Sequence, residues 1–275
     1  MSKILIFLIA SLSPLSFLNA QTEDKLLMVG DFPPDFSATT VDGKPFKLSE
    51  CKGKYVLLNF WGTWCLPCIH EIPDLRDIQL LYGSTELEIV SIAVERKEKD
   101  IKFFTDSAGM KWTNISELND EDFQKTISYR YGVGMFPTNY LLDKEGKIIA
   151  FPFYFVKDST GKIKMSYLQG PFIYQTLSKY LGDTKDISSY LSQSKGTLFS
   201  LSEENAKNVL LSGSFNQWGG KALYRVNGKW FCKVDLSPGT YQYKYIVDGN
   251  WIVDPANPYV VDDGSGNKNS QIIIK

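Results

Sequence analysis

The chain has 275 residues, 43% of them hydrophobic and 22% charged, with 30 basic side chains against 31 acidic ones. That length exceeds the ~100–150 residues usual for one domain, so two domains are expected. A net charge of −1 supplies no basic field for a polyanion, which argues against a nucleic-acid partner.

Residues 1–20 carry a single Lys3, an apolar run over Ile4–Ala10 and the stretch Ser16-Phe-Leu-Asn-Ala20 ahead of the polar Gln21–Asp24. This reads as a cleaved secretory signal, so the mature chain is expected to be periplasmic or otherwise exported. Leu18 is larger than the small residue preferred two positions before such a cut, which leaves an uncleaved membrane anchor as the alternative. No later segment approaches the ~20 apolar residues that span a bilayer, so no membrane span is expected in the mature chain. Outside the cytosol disulfides persist, and thiols stay reduced only with a supply of electrons.

From Val29 to about Leu181 strand and helix patterns alternate. Tyr55–Trp61 reads as a strand, Cys65–Leu81 as a helix kinked at Pro73, Glu86–Val94 as a strand and Lys99–Ala108 as a helix. Asp120–Tyr131 then reads as a helix, Thr138–Asp143 and Lys147–Phe151 as paired strands, and Phe172–Leu181 as a closing helix. Strands separated by helices imply an α/β domain with a central mixed sheet flanked by helices. Residues 184–197, poor in large apolar side chains, read as a linker between this domain, 21–183, and a second one, 198–275, although Ile187–Leu191 could extend a helix. There the pattern changes to short alternating strands with Gly, Asn, Asp and Pro turns: Asn208–Phe215, Trp230–Leu236, Thr240–Val247, Trp251–Val253 and Gln271–Ile274. This is the signature of a small all-β immunoglobulin-like sandwich.

With four cysteines in all the chain is no disulfide-stapled scaffold, and the Cys65/Cys68 pair reads as working chemistry. A strand feeding a Cys-x-x-Cys that opens a helix places the first sulfur among unpaired backbone N–H groups, which favour the thiolate. Cys65 is therefore the expected nucleophile and Cys68 the resolving thiol, with Leu66-Pro67 between them helping to set the potential. A zinc site would need two further ligands, so neither metal nor other cofactor is expected. The single histidine, His70, stands two residues past Cys68, where side chains do not face each other, and reads as a surface or capping residue. Trp61 and Trp64 flank the pair, either as an apolar lip or as core packing. Cys51 reads as a buried or partly buried free thiol. Cys232 alternates with Trp230 and Val234 at period two and belongs to a core face.

The strand, the Trp64-Cys65-Leu66-Pro67-Cys68 motif and the later Met135-Phe136-Pro137-Thr138 together resemble the thioredoxin fold, and more closely the thioredoxin-like reductases of the TlpA and ResA type. The resemblance extends to Gly30–Phe36, Gly43–Leu48 and Asn139–Lys147. It implies a thiol–disulfide oxidoreductase that reduces extracytoplasmic protein disulfides and is itself recharged by an electron-donating dithiol protein. It also implies a cis peptide before Pro137, with Phe136 and Pro137 helping to hold the substrate cysteine segment. Where thioredoxin carries a buried acid, this chain has Asn59, so proton transfer must come from elsewhere. The resemblance suggests Glu95; a solvated charge in Glu95–Asp100 is the alternative. A peroxidase on the same fold would use Pro-x-x-x-Thr-x-x-Cys, whereas Thr63 lies two positions before Cys65 with no proline in register; that activity is kept only as an alternative.

Ser212–Trp218, Gly228–Trp230, Pro238–Tyr245, Asp248–Trp251 and Asp254-Pro255 resemble the glycogen-binding module of AMP-activated kinase β-subunits, the family 48 carbohydrate-binding type. Flat aromatic faces cover the C–H faces of sugars while polar groups bond the hydroxyls, and the resemblance implies Trp218, Lys244, Trp251 and Asn269 as contacts to an α-glucan. The loop Asp262–Gly266 lacks the apolar finger of the kinase modules. A structural or protein-contact sandwich is therefore the other reading of this domain, and a carbohydrate-binding adaptor with an incidental dithiol the other reading of the chain.

Overall fold

The structure, a computed structural model, describes residues 26–83, 86–95, 101–118, 123–157, 163–183 and 187–275. The expected signal segment, 1–20, lies outside the described residues, as do Lys99–Asp100 of an expected helix, 120–122 of another and 184–186 of the expected linker.

In chain order the first part comprises β1 (Ser37–Thr39), β2 (Pro45–Lys47), β3 (Tyr55–Trp61), α1 (Leu66–Tyr82), β4 (Leu87–Glu95), α2 (Ile101–Ser107), β5 (Thr113–Leu118), α3 (Ile127–Arg130), β6 (Thr138–Leu142), β7 (Ile148–Ala150), the hairpin β8 (Phe153–Lys157) and β9 (Ile163–Tyr167), α4 (Pro171–Leu181) and α5 (Ser188–Gln193). The central sheet has the order β5-β4-β3-β6-β7; β3, β4 and β5 are parallel, and β6 and β7 join antiparallel. β3 is central and buried along all of its length except Tyr55, which is why its sequence is an almost unbroken apolar run. Its side chains alternate: Val56, Leu58 and Phe60 enter one core, while Leu57, Asn59 and Trp61 face the other way, toward α1.

The second part comprises β10 (Thr197–Ser202), β11 (Val209–Gly213), β12 (Lys221–Ala222), β13 (Tyr224–Val226), β14 (Lys229–Val234), β15 (Gly239–Val247), β16 (Asn250–Ile252), β17 (Val260–Asp262) and β18 (Lys268–Ile274). One sheet has the order β10-β14-β13, the other β12-β11-β15-β18-β17 with β16 beside β15. Their inner faces enclose Phe199, Leu201, Leu211, Trp230, Cys232, Tyr243 and Tyr245. Cys232 is fully buried there, as its period-two pattern implied, and burial pushes its thiol up to about 12.

Three sequence expectations change. Over Asp120–Tyr131 the described part is a 3-10 turn at Phe123–Lys125 followed by the short α3. Thr126 interrupts it: its backbone is extended and its Oγ1 caps the N–H of Tyr129 at 3.2 Å. The edge strand β5 and the β8–β9 hairpin are additional to the elements expected. Lastly, the stretch read as linker carries α5, whose Tyr190 is fully buried. A segment polar on average is anchored by one aromatic side chain.

A single hydrophobic cluster runs from Leu57 and Ile89 of the first sheet, through Leu75, Ile78, Tyr174 and Leu177 of α1 and α4, to Phe199, Tyr224 and Trp230 of the sandwich. Tyr224 sits edge-on to Tyr174 and Tyr190, at 4.7 and 5.5 Å between ring centres. The N–H of Arg225 donates to Tyr174 Oη at 2.6 Å and that of Lys233 to Tyr190 Oη at 2.5 Å, so the buried hydroxyls are satisfied across the junction. Tyr190→Ala should leave a cavity and one orphaned donor, the Lys233 N–H, lowering stability by about 3–5 kcal/mol in urea unfolding of the whole chain.

Candidate active site

The dithiol sits where β3 ends and α1 begins. Cys65 is the N-cap of α1, with extended backbone (φ −97°, ψ 97°), and its Sγ accepts the N–H of Cys68 at 3.2 Å. One of the donors a helix start leaves unpaired is thus aimed at this sulfur, the arrangement that stabilises a thiolate. Pro67 lies in the first turn, where its missing N–H costs no helix bond. The two sulfurs are bonded, at 2.04 Å, and both residues are buried.

The turn before Cys65 is tightly held. A Cβ on Gly62 would meet Trp64 Nε1 at 2.6 Å and the carbonyl of Val94 at 3.0 Å, so no side chain fits there. Trp64 Nε1 donates to that Val94 carbonyl at 3.0 Å. Glu95 is buried; one carboxylate oxygen accepts the Thr63 N–H at 2.7 Å, the other the Thr63 hydroxyl at 3.1 Å. The solvated-charge alternative for Glu95 is therefore wrong: β4 carries it inward to brace the turn, because the apolar strand keeps its burial to its last residue.

The two tryptophans separate. Trp61 is core, packed on Phe104 at 5.3 Å, whereas Trp64 is 39% exposed and stands edge-on to Phe136 at 5.1 Å. With the exposed Leu66 and Met135 they make an apolar rim beside the disulfide. The Phe136–Pro137 peptide is cis, and Phe136 packs in the same cluster as both cysteines. Gln169 donates to the Pro137 carbonyl at 2.7 Å and Thr138 Oγ1 to that of Met135 at 2.7 Å, fixing this loop from two sides. His70 is exposed.

Sequence reasoning missed Glu71. It lies one turn beyond Cys68 on α1 and is buried; its carboxylate accepts Asn59 Nδ2 at 3.2 Å, Asn139 Nδ2 at 3.2 and 3.3 Å, and the N–H of Gly170 at 2.9 Å. Asn59, standing where thioredoxin has its acid, thus bonds an acid supplied by the helix. Burial drives this carboxyl up to about 7; the bonds from Gly170 and Asn139 restrain the rise, and the neighbouring Asp74 adds to it. The available signal was its spacing: Cys68, Glu71, Ile72 and Leu75 form one apolar helix stripe interrupted by a single carboxylate.

At the opposite end of β3, Cys51 lines an apolar cavity of about 280 Å³ with Phe32, Leu48, Val56 and Leu142. It is half-buried, and burial pushes its thiol up to about 11, which keeps it protonated and unreactive.

On the second domain, Trp218, Lys244, Trp251 and Asn269 come together, with Asp263 and Asn267, around a cleft of about 370 Å³. The two indoles are exposed, 6.3 Å between ring centres. Gln217 and Trp218 both adopt left-handed backbone (φ 55° and 59°), held by the Trp218 N–H on the Gly213 carbonyl at 2.8 Å; this costly conformation turns the indole toward the cleft. Asn269 donates to Gln242 Oε1 at 2.9 Å, and Asn267 Nδ2 to Asp263 at 3.0 Å. Exposed aromatic faces beside amide and ammonium groups suit a sugar.

Residues 29–151 match the AhpC/TSA family, and residues 197–275 match the glycogen recognition site of AMP-activated protein kinase. The thiol-disulfide oxidoreductase ResA of Geobacillus thermodenitrificans is 33% identical over 145 residues, covering 53% of this chain and 80% of that protein. The chain belongs to the ResA family of thiol-disulfide oxidoreductases. ResA of Bacillus anthracis is 36% identical over 123 residues, 45% of this chain and 68% of the relative. The solved thioredoxin domain of a thiol-disulfide oxidoreductase from Bacteroides vulgatus aligns over 56% of this chain and 98% of that one, at 27% identity and a TM-score of 0.46. This ResA-family chain is thus a thioredoxin-like α/β domain followed by an all-β domain of the glycogen-recognition type.

Because Glu71 has a folded-state pKa near 7 against about 4.3 when unfolded, the folded ResA-type domain binds the extra proton between those values. Its contribution to stability is complete below pH ~4.3 and is lost as pH rises through 7, a fall on the order of 3 kcal/mol. Glu71→Gln should flatten that part of the stability profile in urea unfolding from pH 4 to 8; parallel profiles would remove the assignment.

Proposed function

We propose that the chain is an exported thiol–disulfide oxidoreductase that reduces disulfides of extracytoplasmic proteins, and whose second domain binds an α-glucan. The observation that carries the redox part is the Cys65 sulfur at the start of α1, accepting a helix N–H beside the Phe136–Pro137 loop. Export rests on the pattern of residues 1–20; among the described residues no helix is long and apolar enough to cross a membrane.

In the reduced protein the Cys65 thiolate attacks one sulfur of a partner disulfide. A Cys65–partner bond forms, and the partner's other sulfur leaves as a thiolate that takes up a proton. The Cys68 thiol then gives its proton to the Glu71 carboxylate and attacks Cys65 Sγ. The Cys65–Cys68 bond closes, the partner's second thiolate departs, and two electrons have passed to the partner. An electron-donating dithiol protein reverses the sequence to recharge the pair. Trp64, Phe136 and Pro137 seat the partner's cysteine segment, Pro67 shapes the first turn of α1, and Glu95 braces the turn that presents Cys65. A carboxyl group near pH 7 suits Glu71 to both accepting and returning the proton.

Cys65→Ser should abolish reduction of insulin disulfides by the whole chain; unchanged turnover would sink the redox assignment. For the second domain, affinity electrophoresis in glycogen should retard the wild type, with Trp218→Ala and Trp251→Ala each weakening retention several-fold, since one stacking face of the cleft is lost. Wild-type migration identical with and without glycogen would leave the sandwich as a protein-contact domain.

A further inference from the structure

Lys221 belongs to the second domain and ends on the active-site helix. It opens β12, and its Nζ lies 2.8 Å from Asp74 Oδ1 and 3.1 Å from Asp77 Oδ2. The side chains are only 16%, 18% and 9% exposed, so solvent and salt screen this cluster weakly. Asp77 is further bonded by Tyr224 Oη at 3.1 Å and Ser194 Oγ at 3.3 Å. Burial opposes the charge of Lys221, but the two carboxylates outweigh it and hold the ammonium well above its ordinary range. Lys221 is therefore a permanent cation against α1.

The same helix carries Glu71 on its inward side. From β3 and β6 the neutral Asn59 and Asn139 face that carboxyl, and from the turn before α4 the N–H of Gly170. From α1 itself comes Asp74, and Cys68 stands three residues before Glu71 on the same helix. Asp74 is thus shared: it presses on Glu71 from one side and is neutralised by Lys221 from the other. A bridge that merely fastened two domains would need one carboxylate; here one ammonium is set between two, three and six residues beyond Glu71 on one helix.

We propose that Lys221 is a positioning residue of the thiol–disulfide exchange: reaching from the second domain, it clamps Asp74 and Asp77, holds in place the helix that carries Cys68 and Glu71, and neutralises the charge behind Glu71. The second domain is then part of the redox machinery in addition to any ligand it binds. This rests on the reading of Glu71 as the proton-transfer group.

The test is the pH profile of insulin-disulfide reduction by the full chain, for wild type, Glu71→Gln, Lys221→Met, Lys221→Arg and Asp74→Asn, each first checked for a folded circular-dichroism spectrum. The wild-type profile should show an ionisation near pH 7 that Glu71→Gln removes. Lys221→Met unmasks Asp74 and should move it upward by about half a pH unit or more; Lys221→Arg, which keeps the charge, should restore it. Asp74→Asn should move it downward, and serves if Lys221→Met does not fold. An ionisation that survives Glu71→Gln defeats the Glu71 assignment and this proposal with it. An ionisation that Glu71→Gln removes but that stays in place in Lys221→Met and Asp74→Asn overturns the Lys221 proposal alone.

Discussion

Helix α1 is covered on two sides, by the mixed sheet that the dithiol crowns and by the β-rich domain that follows it in sequence. The exposed face of this helix is taken by His70, Pro73 and Arg76, whereas Glu71, Asp74 and Asp77 lie on its covered sides. Each must find a partner or give up its charge. Glu71 is met on the inside by two asparagines and a backbone N–H, and holds its proton to near neutrality. Asp74 and Asp77 are met on the outside by one lysine from 144 or more residues away in the chain.

The redox site inherits its geometry from this burial. The start of α1 is set by Cys65 as cap; the turn before it is held by Glu95 and Trp64, and the facing loop by Gln169 and Thr138. Beside the buried sulfurs, Trp64, Leu66 and Met135 are exposed and Phe136 partly so.

The cleft of the second domain and Lys221 belong to one sheet. Lys221 pairs with Leu211, which pairs with Tyr245, and these cross-strand partners share the inner face. Lys244, one residue away on β15, points to the opposite, outer face with the cleft. The two surfaces are therefore back to back on a short, heavily hydrogen-bonded stretch of three strands, and the second domain presents its cleft outward while its inner edge is fastened to the oxidoreductase.

Read alone, the chain's residues determined a good deal: the strand into Cys65-x-x-Cys68 and the change from βα alternation to short strands, to which the family resemblances added the loop at Phe136-Pro137 and the four cleft residues Trp218, Lys244, Trp251 and Asn269. These are local patterns, or motifs whose spacing is itself the information, and burial alternation at period two or 3.6 is written directly in the order of residues. What only the tertiary structure decided involves pairs far apart in the chain. Thr126 broke a helix because a side-chain cap competed with helix continuation. Tyr190 turned an expected linker into an anchored helix because the cavity that receives it is built by residues 224–233. Glu71 joined Glu95 as a second buried acid near the dithiol, with Lys221 beyond it, because whether a carboxylate is solvated or enclosed depends on what the rest of the chain packs over it, and no local pattern carries that sum.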